Sequence, residues 1–276
     1  MALATVFTRA SLGIDAPEIR VEVDLARGLP GFAIVGLPTA TIREAKDRVK
    51  AALLNAGLEF PAATKITVNL SPADIPKQGA RYELAIAIGI LVASGQIPDT
   101  AIRDTEFYGE LALNAELLPV AGLVPSLLAC RTAKRTAVIP LKNEPDASLI
   151  KNQTSFLVPD LVSIFEHLHQ HNELRKACPV DWQKTETTHY GDIAEVMGQE
   201  QAKRALLLAA AGRHHILFVG PPGTGKTMLA QRLMSLMPGL TEQQALELAS
   251  IRSIAQRAGS VEDWRVREFR APHHSC

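Results

Sequence analysis

Residues 18–25, EIRVEVDL, alternate strictly, with Ile19, Val21, Val23 and Leu25 on one face and Glu18, Arg20, Glu22 and Asp24 on the other. A period of two predicts a half-buried β-strand. A short apolar strand is predicted over Phe32–Val35, and residues 64–70, TKITVNL, alternate again with Ile66, Val68 and Leu70 inward. Between these two, Ile42, Ala45, Val49, Ala52 and Leu53 recur at helical spacing, from a capping-box spacing at Thr41-x-x-Glu44 to a stop at Asn55-Ala56-Gly57. The stretch YELAIAIGILVASG has no polar face, which predicts a helix buried on most sides and ending at Gly95. A strand in FYGELALN, a helix near Val124–Thr136, a strand in AVIPL and a helix over Leu161–His169 continue the alternation without internal repeats.

Periodicity disappears over residues 171–190, which are polar and carry one proline, so this stretch is predicted to link a domain 1–170 to a domain 191–276. In the second domain a helix is predicted over Gly198–Ala211, an apolar strand over His215–Val219 and a helix over Gly225–Leu236. A further helix opens at Thr241-x-x-Gln244 with capping-box spacing. Strands alternating with helices place the chain in the α/β class.

Composition narrows the function. Hydrophobic residues are 47% and charged residues 21% of 276, values of a folded globular chain rather than a disordered one. The 29 basic and 29 acidic side chains cancel, which argues against a dedicated polybasic binder. The longest apolar run, Leu84–Ala93, is about half of the roughly 20 residues a membrane span requires, and Arg9 interrupts any signal-like core, so a cytoplasmic, membrane-free protein is expected. Cys130, Cys178 and Cys276 form no C-x-x-C pair and fit a reducing compartment rather than a disulfide or zinc framework.

One motif carries the chemistry. Gly220-Pro221-Pro222-Gly223-Thr224-Gly225-Lys226-Thr227 satisfies G-x-x-x-x-G-K-[ST] at every position, between a predicted strand and a predicted helix. Unpaired N–H groups and the positive dipole end at a helix start favour phosphate, and glycines let the backbone approach it without a Cβ. Lys226 is expected to reach the β- and γ-oxygens of ATP, and the Thr227 hydroxyl to ligate Mg²⁺. The acidic partner usual in such ATPases, an apolar strand ending in Asp-Glu, does not follow within the 276 residues. The nearest candidate, Ser260-Val-Glu262-Asp263, lies in polar sequence. Binding is therefore expected to exceed hydrolysis.

These strings carry a resemblance. DIAEVMGQEQAKRALLLAAAGRHHILFVGPPGTGKTMLAQRL, with LTEQQALELASIRSIAQ and FRAPHHS, is similar to the AAA+ module of magnesium-chelatase-related proteins. Together with SPADIPKQG and GELALNAELLPVAGL the chain resembles the ComM/YifB group. The resemblance implies a Lon-protease-like α+β first domain of the ribosomal S5 domain 2-like type, followed by a P-loop AAA+ module that the chain leaves incomplete. It also implies assembly into a hexameric homo-oligomer, DNA as partner, and ATP-driven branch migration by a helicase in recombination and natural transformation. Val196–Gln199 would lie near the adenine. Two other readings compete: a chelatase-type motor that inserts a metal into a tetrapyrrole, and an interaction module acting through residues 1–170.

The Lon-like resemblance prompts a search for a peptidase dyad. The nucleophile position, two places after PKQG, is Arg81, and the position of the lysine base, after Ala121-Gly122-Leu123, is Val124. Neither side chain can do that work, although Ser71 would supply a hydroxyl under a shifted alignment. His167, His169 and His171 are spaced to share a strand face but diverge on the helix end predicted there, so they read as a solvated terminus. His273 and His274 belong to the FRAPHHS string. Arg204, Arg213, Arg265, Arg267 and Arg270 could face DNA in a ring pore, or be simply solvated.

Overall fold

The computed structural model describes residues 2–180, 190–255 and 266–272. The chain divides into two compact units, built mainly on Met1–Val180 and on Asp181–Leu248.

The first unit is organised on an eight-stranded mixed sheet. Its strands are β1 (Ala2–Arg9), β2 (Glu18–Ala26), β3 (Gly31–Val35), β4 (Lys65–Ser71), β5 (Thr105–Phe107), β8 (Thr136–Pro140), β9 (Ser155–Val158) and β10 (Arg175–Lys176), and their spatial order is β10-β9-β8-β5-β1-β2-β4-β3. A loop joins the antiparallel pair β1–β2 and a segment carrying α5 (Leu161–Leu168) joins the antiparallel pair β9–β10, whereas the parallel pairs β3–β4, β5–β8 and β8–β9 require helical crossovers. Helices α1 (Ala40–Asn55), α3 (Leu123–Thr132) and α4 (Glu144–Ser148) occupy those crossovers. The α/β class predicted from the alternation is the class observed.

The period of two in β2 has its predicted consequence, with Ile19, Val21 and Val23 fully buried and Arg20 exposed. Helix α2 (Glu83–Ala93) packs on β1 and β2 and is buried at all but one position, as its nearly all-apolar sequence requires. Its one charged residue, Glu83, is neutralised by Arg48 of α1 at 2.6 Å and accepts the Leu111 N–H at 2.9 Å. Close packing here rests on Gly89, where an added Cβ would stand 2.5 Å from Val23 Cγ2. Gly89→Ala should therefore lower stability by about 1–3 kcal/mol through overpacking, outweighing the helix propensity gained, and a urea midpoint shift to lower concentration would show it. An unchanged or higher midpoint would mean that Val23 yields without cost.

Four expectations for the first unit need correction. The predicted strand in FYGELALN breaks after Phe107 and resumes as a two-stranded hairpin, β6 (Glu110–Leu111) with β7 (Leu117–Leu118). The helix expected to reach Thr136 stops at Thr132, because Lys134 takes a left-handed turn (φ 57°) into β8. Thr41-x-x-Glu44 does not cap α1: the N-cap is Thr39, without a side-chain capping bond, and Thr41 lies inside the helix. Finally, residues 171–190 are not linker throughout, since Arg175 and Lys176 pair with β9 and extend the sheet. The Asp160 carboxylate caps α5 (Leu161–Leu168) by accepting the Ser163 N–H at 2.8 Å.

The second unit contains α6 (Glu200–Gly212), α7 (Lys226–Leu236) and the beginning of α8 (Glu242–Ile254), whose residues from Ala249 on belong to the first unit. The predicted capping box at the start of α8 is formed: Thr241 N–H donates to Gln244 Oε1 at 3.2 Å, and Gln244 N–H donates to Thr241 Oγ1 at 3.3 Å. The predicted strand His215–Val219 is not formed among the described residues, and Leu217 and Val219 are 84% and 87% exposed. A strand exists only through its partner's backbone groups, and without one only Ile216 and Phe218 of this apolar segment are covered, against the cluster of Val196, Leu206 and Leu229.

A core follows the same contrast. The first unit buries a contiguous cluster running from Ala4 and Val6 through α2 to Ile164, whereas a cluster in the second unit centres on Val196, Leu206 and Leu229. Limited proteolysis is accordingly expected to leave a resistant fragment containing β1 to β10 while α6 and α7 are degraded. Equal resistance of both units would contradict this.

Candidate functional site

The glycine-rich loop is shaped by two left-handed glycines, Gly223 (φ 82°) and Gly225 (φ 77°), a conformation that a side chain at either position would strain. Gly225 is the N-cap of α7 and offers no side-chain cap to the first turn. The first N–H groups of the helix are thus left for an anion, with the positive end of the dipole behind them. Lys226 Nζ bends back over the loop, donating to the carbonyls of Gly220 at 2.9 Å and Pro221 at 2.8 Å. Thr224 Oγ1 donates to Pro221 O at 3.0 Å and tightens the same turn. Gly220, Pro221, Pro222, Gly223, Thr224 and Thr227 are exposed, and Gly225 and Lys226 are half-buried. With the Thr224 hydroxyl at 3.4 Å as a further acceptor, the ammonium is held at the loop by neutral oxygens, partners that a phosphate oxygen can replace with a charged one.

Val196 joins the same small cluster as Leu206 and Leu229, so the Val196–Gln199 segment is anchored on the helix that follows the loop. Met197 beside it is exposed, and Gly198 and Gln199 turn through left-handed conformations into α6. Glu195 accepts from Arg232 of α7 at 2.8 Å, a second tie between this segment and that helix.

Of the arginines considered for DNA, Arg204 and Arg213 are exposed, Arg267 Nε donates to Pro238 O at 2.9 Å, and Arg270 pairs with Glu268 at 3.3 Å. Arg265, His273, His274, Cys276 and the Ser260–Asp263 stretch lie outside the described residues. The three histidines near Leu168 are engaged locally. His167 and His169 lie 4.9 and 4.3 Å from the rings of Phe156 and Phe165, and the His169 and His171 rings are 6.0 Å apart.

At the peptidase positions, Arg81 Nη2 donates to Ser126 Oγ at 2.8 Å. A guanidinium stays protonated and cannot accept the proton of a serine. Ser71 lies at the end of β4 before a cis peptide bond to Pro72, whose carbonyl accepts from the buried Lys77 ammonium. The proximity of Arg81 to Ser126 could not be read from the sequence, because it is created by α2 and α3 starting beside one another.

Comparison with known proteins then adds the relationship. Residues 21–143 match the family model described as subunit ChlI of Mg-chelatase, and residues 192–276 match that of magnesium chelatase, subunit ChlI. The whole chain is 45% identical to competence protein ComM of Haemophilus influenzae, of which it covers 55%, and 44% identical to uncharacterized protein YifB of Escherichia coli, of which it covers 54%. It thus spans about half the length of these relatives. An archaeal Lon protease of Thermococcus kodakarensis is 48% identical over 46 residues, 17% of this chain and 7% of that protein. With similarity to ComM and YifB along its full length and ChlI-type matches in both halves, the protein is a homologue of ComM and YifB built from two segments of magnesium-chelatase subunit ChlI type.

Proposed function

We propose that the Gly220–Thr227 loop binds ATP with Mg²⁺ and that the protein serves as the nucleotide-driven part of a ring motor acting on DNA. The observation that carries this reading is the uncapped start of α7, with Lys226 poised over the loop on neutral acceptors. In the bound state the loop N–H groups and Lys226 would hold the phosphates and Thr227 the metal, whose charge neutralises the oxygens of the transferred group. The ComM relative is named a competence protein, and a role in DNA uptake or recombination, through branch migration by a hexameric homo-oligomer, follows by kinship. The first unit is a Lon-like domain without peptidase activity, because Arg81 and Val124 stand where the nucleophile and base are required.

ATP binding by the purified chain, measured with and without four-way branched DNA, tests this. Binding of ATP that is lost in Lys226→Ala is expected. Absence of nucleotide binding would overturn the reading as a whole.

The ChlI-type matches favour a second reading, a chelatase motor acting on a tetrapyrrole. Nucleotide binding strengthened by a porphyrin and indifferent to DNA would select it.

A further inference from the structure

Arg9, Arg48 and Arg135 each bring a guanidinium of the first unit against a buried carboxylate, Glu106 or Glu83, at 2.6–3.2 Å. Arg81 departs from this rule. It is 5% exposed, its Nη2 bonds the neutral Ser126 hydroxyl, and its Nε and Nη1 are buried with no hydrogen-bond partner among the described residues. The titratable side chains that act on it are the phenols of Tyr82 and Tyr108, and burial lowers its pKa. Arginine nevertheless keeps its proton in a protein interior, so a full positive charge is buried there without a counter-charge.

Arg81 directly precedes Tyr82, the N-cap of α2, and Ser126 stands in the first turn of the ten-residue helix α3. The start of α3 is itself closed, since Ser253 O accepts the Gly122 N–H at 3.0 Å and Ser253 Oγ accepts the Val124 N–H at 3.4 Å. The donors left over are therefore those of the guanidinium, Nε and Nη1. Access exists as well: Ser11 is exposed, and its Oγ lies 3.0 Å from where a Cβ on Gly122 would stand, so a hydroxyl reachable from solvent borders the same helix start.

We propose that Arg81, with the Ser126 hydroxyl of α3 beside it, forms a receptor for an oxyanion group, a phosphate or a carboxylate, which completes the charge balance of the first unit. Two free guanidinium nitrogens offer the planar, paired donors that such a group takes. The site is independent of the nucleotide loop.

Hydrogen exchange followed by mass spectrometry on the full chain tests it, with Lys226→Ala as the parent so that the nucleotide loop does not respond. Inorganic phosphate and acetate are each compared with chloride at equal ionic strength. In one of the two oxyanions, at ten times its half-saturating concentration, amides of α3 should exchange about tenfold more slowly. Amides of α7 should be unchanged. Preference for phosphate assigns a phosphorylated ligand, and preference for acetate a carboxylate. Adding Arg81→Met should abolish the protection, and adding Ser126→Ala should raise the half-saturating concentration several-fold. The proposal fails if neither anion slows α3 in the parent, or if α3 and α7 slow equally. Survival of the effect in the Arg81→Met protein would also defeat it. Should Arg81→Met not fold, an unaltered half-saturation in Ser126→Ala would be the overturning result.

Discussion

Lys226→Ala is expected to weaken binding of Mg-ATP by about 30- to 150-fold, the equivalent of roughly 2–3 kcal/mol for one charge-assisted contact to phosphate. The folded chain gives Lys226 two carbonyl acceptors on its own exposed loop, so its removal should shift stability by less than about 0.5 kcal/mol. The same substitution thus separates ligand binding from folding. Titration with a fluorescent ATP analogue, alongside urea denaturation, reads both. Thr227→Ala should lose the part of the affinity that depends on Mg²⁺ while Mg²⁺-free binding persists. If Lys226→Ala bound Mg-ATP as the parent does, the loop would not be the nucleotide site. A large loss of stability would show instead that the lysine holds the fold.

Glu106→Ala should destabilise the first unit by about 3–5 kcal/mol, a large part of the roughly 5–15 kcal/mol that holds a domain folded. Glu106 is completely buried at the start of the sheet's central parallel pair and receives both Arg9 Nε at 2.8 Å and Arg9 Nη2 at 2.7 Å. Arg135 Nη1 adds a contact at 3.2 Å, and the Tyr108 hydroxyl also donates to this carboxylate. Removing Glu106 strands Arg9, which is only 8% exposed in its side chain and retains the Ala16 carbonyl at 3.0 Å as a partner. Arg135 suffers less, because it also pairs with the half-buried Glu18 at 2.7 Å and its guanidinium lies 3.7 Å from the centre of the Phe7 ring. Glu18→Gln should accordingly cost about 1 kcal/mol or less. An apolar double replacement, Arg9→Met with Glu106→Leu, should recover much of the loss, since no uncompensated charge then remains. Urea midpoints of the four proteins decide this. Additive single effects with no recovery in the double variant would show that the pair contributes through packing and not through charge balance.

Much of the first unit could be read directly from the chain where one face of an element is buried. β2, β4 and α2 emerged with nearly their observed limits because apolar side chains repeat at the period of the element. β1 escaped because its inward positions are Ala4, Val6 and Thr8 and its outward ones include Leu3 and Phe7, which erases the alternation. Being central in the sheet, it takes small inward residues where α2 approaches closely. β9 and β10 are short and exist through pairing with neighbours distant in sequence, a condition that no local pattern records.

The nucleotide loop shows the opposite balance. Its eight residues, and the helix they open, could be recognised from residue type and spacing alone, because backbone approach to phosphate demands glycine and a lysine at fixed positions. The strand expected before it was legible as an apolar run, but forming it takes partners, and among the described residues it has none. Capping divided in the same way: Thr241 and Gln244 close their box, whereas Thr41 sits two residues past the N-cap, Thr39, and so too late to cap α1.

Local order sufficed for the α/β class, the kinship-bearing strings and the glycine-rich loop opening α7, since each depends on neighbours within a few residues. Tertiary structure alone decided that Arg9, Glu106 and Arg135 share one buried charge cluster and that Arg81 meets Ser126 with two nitrogens unpaired. Those relations join residues 29 to 97 positions apart, and they arise where strands pair and helices begin side by side, which sequence periodicity does not encode.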